Sequence, residues 1–413
     1  MGKAVSGLGH SSHAASRPFS RRRRSSAEVG AARSFGIYRA DRSQTDLFPE
    51  NQQPRHRKWI DGIQSDRPND TRDRLYRQLG ELLTPVSTAE KLARATTLEP
   101  AVAEQLRADD RRIVIVGAGG WIGRVLLSGL YYALGKEQFS QRVRCFGSVA
   151  RPISFGTGLA VSQAPLSDAR SLAPEATILF HLAFLTKDKV ARMDEDAYVS
   201  ANRKLSEDVL DVMSTIGVDR LFYASSGAAA FAEDEGAASD LCLYGKLKRA
   251  DEVRFANWAE EDARSRRAVI TRIYSVSGPF INKHDTYALA DFIRSSLSGE
   301  EISVTAPMPV YRSFVAIREL LSLILAQLLR DDGPSTWAYD SGGDPVELAG
   351  VAKEVVWVLG GSVRKRHITR QDSNLYYGDD GEYQKLLSKF AITSVPLRQQ
   401  VAETAIGFGE EWS

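Results

Sequence analysis

The sequence predicts an α/β protein: a doubly wound parallel sheet, a smaller mixed α/β region after it and a largely disordered extension before it. Three observations carry this. Ile113-Val114-Ile115-Val116, an unbroken β-branched run, leads into Gly117-Ala118-Gly119-Gly120 and then into Trp121-Ile122-Gly123-Arg124, which opens an apolar-striped helix. Such a run reads as a strand buried on both faces, and the glycine turn lets backbone N–H groups and a helix N-terminus face a pyrophosphate. From there to Ile273 aliphatic strands alternate with amphipathic helices, an order that right-handed crossovers turn into a parallel sheet. On either side of this stretch the pattern changes.

Composition sets outer limits. The 413 residues allow two or three units, and 43% hydrophobic with 26% charged residues is ordinary for a soluble globular chain. A net charge of +2 is too balanced to imply nucleic acid or an anionic membrane as a partner of the whole molecule. Cys145 and Cys242 lack metal-ligand spacing, so neither a disulfide framework nor a metal site is expected, and a reducing, cytoplasmic setting fits. The aliphatic run at Leu320–Leu329 is too short to cross a bilayer.

Four segments follow in order. Residues 1–70 hold Arg21–Arg24 among serines, then Pro49, Pro54 and Pro68, with too few large apolar residues to offset the entropy of ordering. A transit peptide, a myristoylation start at Gly2 and a basic patch for nucleic acid or acidic lipid are sharper alternatives to a solvated tail. In residues 71–110, Leu75, Leu79, Leu82 and Leu83 recur at helical spacing until Pro85, Ser87 can cap a second helix, and Leu98–Leu106 offers a third, all expected to lie on the domain that follows. Residues 111–278 form that domain. Its first helix is expected to close at Gly135, with strands at 143–148, 160–162, 176–183, 221–226 and 268–273 and helices at 194–213 and 244–256. In residues 279–413, helices at 287–297, 319–329 and 345–359 mix with short strands at 302–304 and 337–340, a cap at the carboxyl edge of the sheet, where α/β ligands bind.

The chemistry sits in three places. The glycine turn is a dinucleotide cradle. The strand after its helix ends at Gly147-Ser148, with Arg151 close behind, where an NAD site places a carboxylate for the adenosine ribose. A hydroxyl and a guanidinium there would hold a 2′-phosphate that a carboxylate repels, which favours NADP over NAD. Ser225-Ser226 ends a later strand, and Tyr244 and Lys248 share one face of the next helix. A phenol with a pKa near ~10 is a poor base at neutral pH, and an ammonium within reach lowers that value. A serine hydroxyl beside it can bind the same substrate oxygen, so that proton and hydride arrive at one carbonyl.

These residues resemble the extended branch of the short-chain dehydrogenase/reductase superfamily, the sugar-nucleotide epimerases, dehydratases and reductases, over roughly Arg111 to the C-terminus. Gly117, Gly120 and Gly123, with Trp121 and Ile122 between them, match its Rossmann-type cofactor turn, and Phe180-His181-Leu182-Ala183 matches the strand whose end lies beside the cofactor ribose. The resemblance implies a supporting role for Asn202 and catalytic roles for Ser226, Tyr244 and Lys248. It also implies substrate contacts from Ser275, where the family has Asn in R-x-x-N-x-x-G-P, and from Arg312 to a nucleotide diphosphate. It further implies a homodimer.

Departures narrow the reaction. Family dehydratases follow the catalytic residue with Asp-Glu, whereas Gly227-Ala228 stand here, which disfavours dehydration. The pocket wall that follows is Ala229-Ala230-Phe231, and Glu233, Asp234, Glu235 and Asp240 read as a solvated acidic loop rather than acid–base groups. The expectation is an NADP-dependent 4-ketoreductase of a nucleotide-linked sugar. A 4-epimerase with tightly bound NAD and a catalytically silent NADP-binding scaffold or sensor are the alternatives.

Overall fold

The computed structural model describes residues 87–408 apart from Glu235, Ala237 and Asp285. The expected disordered extension and the Leu75–Leu83 helix lie outside the described residues. Ser87 caps α1 (Thr88–Thr96) by accepting from the Glu90 amide at 3.3 Å, and Pro100 opens α2 (Pro100–Ala108). Both helices lie on the sheet domain through Leu92, Val102 and Leu106, with Thr96 and Ser128 hydroxyls 2.8 Å apart.

Strand β1 (Arg112–Val116) is buried throughout and leads through the glycine turn into α3 (Trp121–Arg142). Gly135 breaks the helical dihedrals of α3 with φ 73°, as its position suggests, but a second helical segment resumes and runs directly into β2 (Val143–Gly147). The sequence reading assigns no strand between 148 and 160. The structure instead begins an edge strand there, β3 (Arg151–Gly156), which forms an antiparallel hairpin with β4 (Leu159–Pro165). Pro152 is tolerated because an edge strand needs no donor on its outer side.

The order continues with β5 (Thr177–His181), α4 (Glu195–Ile216), β6 (Val218–Ser226), α5 (Ser239–Glu260) and β7 (Arg267–Ile273). Then come β8 (Ser275–Ser277), α6 (Ala288–Leu297), β9 (Ile302–Val304), β10 (Val310–Arg312), β11 (Phe314–Ala316) and α7 (Ile317–Leu328). The chain closes with β12 (Thr336–Asp340), β13 (Val346–Glu347), α8 (Leu348–Leu359), β14 (Val363–Lys365), β15 (Asn374–Tyr376), α9 (Asp380–Lys389) and α10 (Leu397–Ile406).

The main sheet runs β12-β7-β6-β5-β1-β2-β4-β3, parallel except for β3. Alternate residues of each strand enter opposite cores. Ile113, Ile115, Ile178, Phe180 and Phe222 meet α3 and α7, while Val114, Val116, Leu179, Leu221 and Tyr223 meet α4 and α5. Strand order reverses at β1, so the carboxyl ends of β1 and β5 frame a crevice, the usual ligand position in a doubly wound sheet. Three small sheets, β13-β10-β15, β8-β11 and β9-β14, with α6, α8 and α10 make the mixed C-terminal region. Among the described residues no helix is long and apolar enough to cross a membrane.

Candidate active site

The crevice begins with a backbone contact. Gly117 has φ +94°, and a Cβ on it would lie 2.7 Å from the Ala183 amide nitrogen, so the turn after β1 touches the end of β5 main chain to main chain. The Leu182 amide donates to Val116 O at 2.9 Å and locks the same junction. Gly120 is the N-cap residue of α3 and Gly123 is buried in its first turn. The Trp121 indole donates to Pro279 O at 2.7 Å, tying the turn to the start of the C-terminal region, while Ile122 packs from its partly buried position against the core.

Arg151 reaches back from β3 onto this turn. Its guanidinium and the Ile153 side chain occupy the space that a Cβ on Gly119 would need. Arg124, in the first turn of α3, has its pKa lowered by burial and then by the positive charge of Arg151. Arg151 over the glycine cradle, with the Arg124 guanidinium in its field, suits an anionic ligand. Ser148 sits in the exposed bend just after β2. The residues present therefore fit the phosphates of a dinucleotide.

Ser226, at the carboxyl end of β6, is buried, and its hydroxyl accepts from the Ala228 amide at 3.2 Å. Helix α5 begins at Ser239, five residues ahead of Tyr244, so Tyr244 and Lys248 stand one turn apart within it. Burial pushes the Tyr244 pKa up, Ser226 beside it works the other way, and the neighbouring phenols Tyr376, Tyr198 and Tyr287 add to the rise. Burial also raises the pKa of Tyr376, from β15, with Ser226 and Arg312 acting against it, so two phenols lie near one serine. Arg312 pairs with Tyr376 in register, donates to Tyr311 O at 2.7 Å and stands 5.7 Å from the Tyr376 ring. Ser275 is half-buried in β8 beside β11.

Lys248 does not have the open approach to Tyr244 that the sequence suggests. Its ammonium donates to Ala224 O at 2.7 Å and lies 3.9 Å from the centroid of the Phe184 ring and 4.7 Å from that of Tyr223. The Phe184 ring in turn meets Tyr244 edge-on, with centroids 5.6 Å apart. Burial lowers the Lys248 pKa to about 7, against the pull of Asp251 and Glu252. Lys248 is not among the largest influences on the Tyr244 phenol, whose high pKa comes first from burial.

Several neighbours have supporting parts. The Asn202 carboxamide accepts from the Leu185 amide at 2.9 Å and the Tyr198 hydroxyl donates to Leu185 O at 2.7 Å, pinning the segment after Ala183. Arg272, in the segment expected to flank substrate, forms a buried two-pronged pair with Glu252 at 2.8 and 2.9 Å. The ring of Tyr274 lies within 2.7 Å of the place a Cβ on Gly227 would take, and Ala228 is fully buried. The two positions therefore have no room for the dehydratase carboxylates. Glu233 and Asp234 are exposed and Asp240 half-buried, while Glu235 lies outside the described residues.

Phe184, Tyr376 and Arg124 escaped the sequence reading as site residues. Phe184 directly follows the Phe180–Ala183 match and Arg124 directly follows Gly123, so both had positional signals. Tyr376 lies in a three-residue strand with no periodicity to mark it.

The fold and this crevice define a dinucleotide-binding α/β protein with Ser, Tyr and Lys at the carboxyl edge of its sheet. The chain belongs to the NAD dependent epimerase/dehydratase family, whose model matches residues 113–340. Its fold is similar to that of an epimerase from Methanothermobacter thermautotrophicus, with TM-score 0.55 and 17% identity over 76% of this chain and 96% of that one. UDP-glucose 4-epimerase of Thermus thermophilus, solved with NAD, gives TM-score 0.51 and 19% identity over 72% of this chain and 99% of that one. UDP-N-acetylglucosamine 4-epimerase of Methanobrevibacter ruminantium, solved with UDP-N-acetylmuramic acid, gives 0.54 and 16% over 73% and 98%. No curated protein matches the chain in sequence.

Proposed function

We propose that the protein is an NADP-dependent reductase of a nucleotide-linked sugar, acting on a 4-keto group as a homodimer in the cytoplasm. The observation that carries this reading is the Arg151 guanidinium over Gly119, with Arg124 in its field, a charge arrangement suited to the extra phosphate of NADP. Tyr244 is protonated at neutral pH, as the proton donor to a ketone must be. The family match and the nucleotide sugars named in the solved neighbours support the substrate class.

NADPH, when bound, supplies the hydride that reduces the carbonyl carbon and leaves as NADP⁺. Tyr244 gives its proton to the carbonyl oxygen, and Ser226 holds that oxygen by hydrogen bonding. Lys248 holds cofactor hydroxyls, and Arg312 is available to the diphosphate of the substrate. The likeness to 4-epimerases favours the second reading, in which a retained NAD returns its hydride to the opposite face. A silent scaffold is the third.

The test is turnover of purified protein with NADPH and a nucleotide-linked 4-keto-6-deoxyhexose. Stoichiometric loss of NADPH absorbance is expected. Tightly retained NAD with interconversion of UDP-hexoses and no net redox change would establish the epimerase, and NADPH binding without turnover of any nucleotide sugar would favour the scaffold.

A further inference from the structure

Phe184 stands between the two groups that the reaction needs to act together. Its ring face covers the Lys248 ammonium at 3.9 Å and its ring meets Tyr244 at a 5.6 Å centroid distance, so one side chain touches both. The main chain on either side is fixed. Ala183 abuts Gly117, and Leu185 is held by Asn202 at its amide and by Tyr198 at its carbonyl. Movement at this point therefore falls to the Phe184 side chain, which is only partly buried. On the opposite side, Lys248 is already committed to Ala224 O and the Tyr223 ring. The face under Phe184 is the one left for a ligand hydroxyl.

We propose that Phe184 is a positioning residue that controls access of the nicotinamide half of the cofactor to Lys248. The ring closes over the ammonium in the form seen here and swings aside when ribose hydroxyls replace its π-face as the partner of Lys248. The adenosine half, held at Arg124 and Arg151, does not meet it. This rests on the dinucleotide reading above. It predicts that the free protein bears a cost for opening, so that apparent affinity is reduced by the fraction of molecules already open.

The experiment compares the full chain with Phe184→Ala, titrating each with NADPH and NADH and with the corresponding half-molecules 2′,5′-ADP and 5′-AMP, by calorimetry. Phe184→Ala is expected to bind the preferred whole dinucleotide about tenfold more tightly, with its half-molecule unchanged, if the closed form holds roughly nine-tenths of the population. Phe184→Leu keeps apolar bulk but loses the π-face, and should gain part of the effect even if the alanine variant folds poorly. Equal affinity of wild type and both variants for the whole dinucleotide overturns the proposal while leaving the cofactor reading intact. Equal shifts for whole and half-molecules also overturn it, because that marks a general structural change. Failure of every protein to bind any of the four ligands overturns the cofactor reading and this proposal with it.

Discussion

Cationic groups flank both ends of the crevice, and the fold keeps them in opposite ways. At the glycine turn, Arg151 is exposed and Arg124 half-buried, its pKa lowered by burial and then by the positive charge of Arg151. At the far end, Lys248 is buried under two aromatic rings and its pKa falls to about 7. The first site presents charge towards solvent at the glycine turn. The second reduces its charge and satisfies itself from within the protein. The contrast separates two tasks: holding a phosphate needs permanent charge in reach of solvent, while proton chemistry needs groups shielded from water.

The largest test of this contrast lies at Tyr244. Tyr244→Phe should lose roughly a hundredfold or more in kcat, about 2.7 kcal/mol, since general acid catalysis is worth that much, while cofactor affinity stays as in wild type. Near-normal turnover in steady-state assays would remove the phenol from its role as proton donor. Next in size is Arg151→Ala. Removing one charge-assisted partner of a 2′-phosphate should weaken NADPH binding about ten- to a hundredfold and leave NADH binding unaltered, measured by fluorescence titration. A uniform loss for both cofactors would mean that Arg151 reads the pyrophosphate or nothing specific.

Legibility divides along the same lines. The central strands announce themselves because burial on both faces demands uninterrupted aliphatic runs, as in Ile113–Val116 and Ile178–Phe180. Ser226 at a strand end and Tyr244 with Lys248 one turn apart in a helix were readable because strand ends and helical spacing are local properties. The β3–β4 hairpin was half-missed because Arg151-Pro152 begins an edge strand that is exposed at that end. Gly135 does leave the helical dihedrals, but a second helical run resumes after it and buries Phe139. Beyond Leu359 the strands are three residues long and held by distant partners, such as the Asn374 amide on Pro309 O at 2.9 Å, so Tyr376 carried no signal. Phe184 was visible as a residue but not as a cover, because the direction of one ring is set by tertiary contacts.

The smallest expected effect tests the covered lysine directly. A group protonated up to its ordinary value of 10.5 in the unfolded chain but only to about 7 when folded leaves the unfolded state holding more protons between those two values. Stability therefore rises with pH across that window, by at most about 1.4 kcal/mol per pH unit, and the contribution is lost again as pH falls through the folded value. His181, buried near Lys248 with its pKa lowered to about 3, stays neutral throughout and adds no slope there. Asp251 and Glu252 are the acidic groups that act on the lysine and hold its pKa up. The buried phenols Tyr244 and Tyr223 contribute with the opposite sign only towards their ordinary value near 10. Urea denaturation of wild type and Lys248→Met from pH 7 to pH 9 reports on the lysine together with Asp251 and His181, on whose titrations its charge acts. Wild type should gain stability relative to the variant as pH rises. A flat difference would mean that Lys248 keeps its charge as the arginines do, and the two ends of the crevice would then be alike.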